Sequence, residues 1–150
     1  MYTSITVKQV LRTKGQGFLA IGPGATAYDA LELMADKNVG ALLVVDNGRL
    51  IGVFSERDYA RKVILKGKSS KNTPVRELMS SPPISVASDT TLRDCMVLMT
   101  DKHIRHLPVL DHGTLMGVVS IGDVVHTIIS EQESTIEELQ EYIAGTGYRA

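Results

Sequence analysis

Apolar runs and polar breaks recur along the chain in two similar blocks. ALLVVD (41–46) and RLIGVFS (49–55) flank Asn47-Gly48, a pair whose tolerance of positive φ predicts a hairpin. LPVLD (107–111) and TLMGVVS (114–120) repeat the arrangement around His112-Gly113. Before each hairpin a short apolar stretch, FLAI (18–21) or ISV (84–86), predicts a strand leading to a helix. In the first of these helices Ala30, Leu31, Met34 and Ala35 return at three- and four-residue spacing, which marks them as its buried side. After each hairpin a second helix opens at Ser55-x-x-Asp58 or Ser120-x-x-Asp123. Each block therefore reads strand, helix, strand, strand, helix, an α+β unit.

The two blocks are copies. Sliding the chain by sixty-five positions pairs Ala20–Ile64 with the second block without a gap, and roughly a third of the pairs are identical, far above chance. Gly52, Ser55 and Asp58 fall on Gly117, Ser120 and Asp123. A short capped turn precedes each copy, Thr6 to Leu11 and Thr73 to Met79, with Pro74 expected at a first helical position, where its missing N–H costs nothing. The boundaries that follow are 4–66 for the first unit, 67–73 for an exposed, flexible linker, 74–130 for the second unit and 131–150 for a helical extension. A three-stranded sheet with two helices leaves one face open, and packing the copies with pseudo-twofold symmetry would cover it. In the last helix, running from Asp123 through Ile143, Ile128, Ile129, Ile136, Leu139 and Ile143 are expected to be buried, the Glu-rich EQESTIEELQE is expected to be a solvated face, and Gly145 and Gly147 should end the helix.

Composition narrows the class. A chain of 150 residues, 43% hydrophobic and 22% charged, is globular and can bury a core. Its net charge of −1 provides no broad field for nucleic acid. A lone cysteine, Cys95, excludes an internal disulfide and suits a reducing compartment. No apolar run approaches a membrane span, and the first residues lack a secretory apolar core. A soluble, cytoplasmic protein is expected.

The repeated Ser-x-x-Asp has an ordinary explanation, since Ser at the N-cap with an acid three residues on is a capping box. Its setting allows more. Each Ser ends a strand, so the helix start faces the strand ends, where a carboxylate with two oxygens matches the vicinal diol of a ribose.

The unit order, the Gly-h-h-Ser-x-x-Asp endings and the run IRHLPVLD (104–111) together resemble a cystathionine-beta-synthase (CBS) domain pair, and the likeness extends over roughly residues 4–130. With no catalytic domain in the sequence, it looks like a stand-alone regulatory protein of that kind. The resemblance implies two clefts between the copies, holding AMP, ADP, ATP, NAD(H) or S-adenosylmethionine, and a homodimer paired through helices. By the same likeness Asp58, Asp123, Ser55 and Ser120 match ribose-binding positions, and Arg105 and His106, assisted by Arg57, match phosphate-binding ones. Leu19, Val39, Gly40, Ala41, Ile84, Leu107 and Pro108 would line the adenine slots. The first copy has Gly40-Ala41 where the second has Arg105-His106, and the second has Ile121-Gly122 where the first has Glu56-Arg57, so the clefts should differ. The implied function is a sensor of energy or redox state acting on an unnamed regulated partner, with no catalytic cofactor.

Rival chemistries fare worse. GPGATA (22–27), with Asp46 behind it, fits a dinucleotide fingerprint by spacing, but the second copy has ASDTTL there and Pro23 removes a backbone donor. His103, His106 and His112 lie on dissimilar elements without metal-site spacing, so no metal is expected. Cys95 falls on an apolar helix face and reads as a small core residue. No nucleophile–base arrangement stands out, so catalytic residues are none, although a nucleotide hydrolase using the same clefts is the competing reading by class. Lys62, Lys66, Lys68 and Lys71 raise nucleic-acid binding, but no aromatic residues interleave with them and a solvated segment explains them better.

Overall fold

The computed structural model describes residues 4–15 and 17–145. Their order is α1 (Val7–Lys14), β1 (Ala20–Ile21), α2 (Ala27–Lys37), β2 (Ala41–Asp46), β3 (Arg49–Ser55), α3 (Glu56–Tyr59), α4 (Leu92–Lys102), β4 (His106–Asp111), β5 (Thr114–Ser120) and α5 (Ile121–Gly145). A π-type turn, Ala60–Ile64, continues α3, and a 3-10 turn spans Val75–Glu77. The described residues divide into two compact units, one built on residues 17–85 with 113–116, the other on 4–15, 86–112 and 117–145.

In the first-copy unit β1 runs parallel to β2 and β2 antiparallel to β3. Asn47 and Gly48 both take positive φ, 51° and 78°, the left-handed turn that a two-residue hairpin requires. α2 starts on a capping box in which Thr26 and Asp29 exchange hydrogen bonds, both at 3.1 Å. It buries Ala27, Ala30 and Met34 against Leu42, Val44, Phe54, Val63, Val75 and Leu78. Ala35, expected inside, is exposed, because the buried stripe follows 27, 30 and 34 and leaves 35 on the next face. Pro74 is the N-cap of the 3-10 turn rather than its first residue, with extended ψ of 148°. That lets residues 73–75 run along the start of α2, where Thr73 accepts from Ala27 N–H at 2.9 Å and Val75 N–H donates to Ala25 at 2.7 Å.

The second-copy unit repeats this plan with one reduction. The β4–β5 sheet has two strands, and ISV contributes a single parallel bridge, Val86 to Val109. Leu43 N–H donates to Leu19 in the first copy, whereas Pro108 stands at the matching position and has no N–H to give. Val86 keeps its two bonds, to the Pro108 carbonyl at 3.0 Å and from Leu110 N–H at 2.8 Å. α1 is the counterpart of residues 73–77, longer than the expected turn. It packs on the start of α4, with Val7 N–H on the Thr90 carbonyl and Leu92 N–H on the Ile5 carbonyl, both 2.8 Å. Each copy is thus completed by the segment that precedes the other copy in sequence.

The linker is basic and mostly exposed, but Thr73 at its end is buried, Ser70 is half-buried, and the segment is tied down. Lys68 N–H reaches Val63, Tyr28 N–H reaches Ser70, Tyr59 Oη meets Ser70 Oγ at 2.8 Å, and Lys71 lies 4.9 Å over the Tyr28 ring. α5 departs further from expectation. Ile128 is half-buried, but Ile129, Ile136, Leu139 and Ile143 are exposed at 48%, 54%, 57% and 51%. α5 extends to Gly145, and Gly147 lies outside the described residues.

Candidate functional site

The second-copy unit gathers its polar side chains where β5 passes into α5. Ser120 caps the helix by accepting from Asp123 N–H at 3.1 Å, and Asp123 Oδ2 accepts from Ser120 N–H at 2.9 Å. Ile121 N–H donates to the Arg105 carbonyl at 2.9 Å, so the start of α5 is anchored to the residue before β4. The Arg105 backbone, His106, Ser120 and Asp123 are thereby held near one another, with Arg105 exposed. A fifth group, not foreseen, joins them. Lys14, the last residue of α1, places Nζ 2.6 Å from Asp123 Oδ2 and 2.9 Å from the Val118 carbonyl.

Electrostatics follow from this packing. Burial pushes the Asp123 carboxyl up, but the Lys14 hydrogen bond and charge, with the Ser120 bonds, outweigh it and hold the group below the usual carboxylate range. Burial lowers His106, Lys14 and Arg105 lower it further, and Asp123 opposes them. At neutral pH His106 is a neutral imidazole, a hydrogen-bonding group rather than a charge.

The first-copy unit makes the same frame and fills it differently. Ser55 accepts from Asp58 N–H, Asp58 Oδ2 accepts from Ser55 N–H at 2.9 Å and from its hydroxyl at 3.0 Å, and Glu56 N–H donates to the Gly40 carbonyl at 3.0 Å. The cation on Asp58 is Lys62, one turn along, with Nζ at 3.3 Å. The backbone of Val53, which corresponds to Val118, pairs with Ser80 instead of accepting from a lysine. Arg57 is exposed beside this cap and engaged in the fold.

Comparison with known proteins places this doubled frame. The profile of the CBS domain matches residues 7–64 and again 75–130. The chain belongs to the CBS domain family. The mitochondrial CBS domain-containing protein CBSX3 of Arabidopsis thaliana is 40% identical over 98% of this chain and 75% of its own length. The CBS domain-containing protein YhcV of Bacillus subtilis is 33% identical over 86% of this chain and 89% of its own. Among solved structures, a putative signal-transduction protein with CBS domains from Burkholderia ambifaria superposes with a TM-score of 0.82 at 45% identity, covering 85% of this chain and 96% of that one. CBS domain proteins are generally regulatory, ligand-binding modules.

Of the residues expected to line CBS adenine slots, Leu19, Val39, Gly40, Ala41 and Ile84 are half-buried. Leu107 and Pro108 are buried, Leu107 completely. Gly40 and Ala41 sit against the cap, since Ala41 is opposite Ser55 across the β2–β3 pair. The 22–27 loop is a turn closed by Ala25 N–H on the Gly22 carbonyl, and a Cβ on Gly22 or Gly24 would meet open space, so no close approach demands glycine there. Asp111 takes Ser88 N–H at 2.9 Å, a loop-fixing role. Among the described residues no His, Cys, Asp and Glu cluster could hold a metal ion, and no helix is long and apolar enough to cross a membrane. Lys14 escaped sequence reading because its partner lies 109 residues away, with no local spacing to announce it.

Proposed function

We propose that the second-copy cluster binds the ribose and phosphate of an adenine nucleotide, AMP, ADP, ATP or NAD(H), and that the chain is a regulatory sensor of energy or redox state acting on a protein partner. The observation that carries this reading is Lys14 on Asp123. The carboxylate matches a ribose diol, and the cation resting on it is a ready phosphate partner. On binding, the ribose hydroxyls take the Asp123 oxygens, Lys14 Nζ moves to the phosphate, and Arg105 adds a second cation. The exchange trades one charge-assisted contact for two and moves α1 relative to α5. A ligand with such differential contacts shifts the balance between two states, which is what a sensor requires.

Calorimetry with AMP and adenosine tests the assignment. Asp123→Ala should weaken both ligands about tenfold to a hundredfold, the worth of a hydrogen bond to a charged group. Lys14→Ala should weaken AMP by a similar factor and leave adenosine nearly unchanged. Equal losses for both ligands in Lys14→Ala, or unchanged AMP affinity in Asp123→Ala, would remove these residues from the site.

A further inference from the structure

The exposed apolar residues of α5 are ordered. Val125, Ile129, Gln132, Ile136, Leu139 and Ile143 follow one another at alternating steps of four and three, the heptad spacing of a coiled-coil seam. Isoleucines occupy every a position (129, 136, 143), and Val125, Gln132 and Leu139 the d positions. Every described side chain from Ile129 through Ile143 is exposed.

Such a helix is poorly supported alone. Most helical stability comes from packing an apolar face, and here Ile129, Ile136, Leu139 and Ile143 are about half exposed. Glu133, Glu137 and Glu141 stand at like-charged i,i+4 spacing, and α5 has no lysine or arginine to relieve them or to favour its C-terminal end.

We infer that this seam, Val125 to Ile143, pairs with the same seam of a second copy as a parallel, in-register two-stranded coiled coil. Three observations select that occupant. Isoleucine stands at every a position and leucine at one d position, Leu139, the combination that favours two parallel strands. In a parallel pair Gln132 meets its own counterpart, polar against polar, whereas an antiparallel pair sets a against d and would bury it against isoleucine. The flanking g-to-e pairs would be Ile128 with Glu133 and Thr135 with Gln140, so no like charges meet, and Glu131, Glu137, Glu138 and Glu141 lie at outward b, c and f positions. A basic partner helix would call for acids at e and g, where only Glu133 stands. The inference is independent of nucleotide binding.

Disulfide trapping in the full chain is the test, with Cys95 buried and silent. In a parallel pair the two copies of residue 136 come within disulfide reach. Oxidised Ile136→Cys should run as a covalent dimer on a non-reducing gel, while Glu137→Cys, one residue round the helix, should remain a single chain. Ile136→Asp placed in an Ile143→Cys background should abolish that variant's cross-link, because pairing would bury two like charges. All of these positions are exposed, so none of the variants threatens the fold. A single-chain product from Ile136→Cys overturns the inference, as does equal cross-linking at 137. Trapping only when Ile136→Cys is mixed with Gln132→Cys would mean an antiparallel pair and overturns it too.

Discussion

Gly52 recurs as Gly117 in the doubled sequence, and its surroundings allow a substitution to be costed. A Cβ built at Gly52 would lie 2.5 Å from Met79 Sδ, 2.9 Å from Met79 Cγ and 3.0 Å from the Ser80 carbonyl oxygen. The methionine can swing away, but it packs against the first-copy core and leaves a gap when it moves. The Ser80 carbonyl cannot move without stretching its 3.2 Å bond from Val53 N–H. Overpacking of this kind costs about 1–3 kcal/mol. Stiffening of the unfolded chain by Gly→Ala offsets about 0.4–1 kcal/mol. A net loss of about 1.3 kcal/mol remains at mid-range, a fall in Tm of roughly 3–5 °C for a chain of this size. Thermal unfolding followed by circular dichroism, run as a cycle with Met79→Ala, isolates the clash: the double variant should be about 1 kcal/mol more stable than the summed single losses. An unshifted Tm in Gly52→Ala, or strict additivity in the cycle, would show that the crossing of residues 79–80 over β3 does not require glycine.

Two further outcomes follow from the titrating groups. His106 is held below its ordinary 6.5 in the folded chain, so the unfolded chain binds more protons between the folded value and 6.5. Stability should be full above that pH and decline as the pH falls through the window; a Tm series from about pH 8 to about pH 5.5 should show the decline, and His106→Gln should flatten it. Asp123 is depressed below 3.8, so its stabilisation is present above that value and lost only as the pH drops through its folded value, outside the His106 window. Burial, with Asp94 adding to it, pushes the Cys95 thiol up to about 11, so a thiol reagent at neutral pH should label the native protein negligibly and the unfolded chain fully. Rapid native labelling would contradict the buried assignment.

What could be read from residues alone was what short-range chemistry dictates. The hairpins were legible because Asn47-Gly48 and His112-Gly113 demand positive φ, and both helix starts because a capping box needs only three-residue spacing. The matched order of the two copies was legible in the sixty-five-residue repeat, and the CBS family in the likeness carried by the Gly-h-h-Ser-x-x-Asp endings and the IRHLPVLD run. Tertiary conditions were not. A proline replaced the donor that would have lengthened the strand before α4, so a matching apolar run became one bridge. The spacing of the α5 isoleucines signals burial without saying in which molecule.

The placement of α1 on the second copy bears on how the chain is made. Residues 17–85 can collapse as soon as they leave the ribosome, whereas Val7, Val10 and Leu11 must wait for the start of α4, and Lys14 for Asp123, 109 residues later. At about 5–20 residues per second, that is roughly 5–20 seconds in which a nascent amphipathic helix has no surface to dock on. α1, made before the first copy, is then among the last elements to settle, and it brings Lys14 with it, so the cluster at Asp123 is completed only after the second copy has formed.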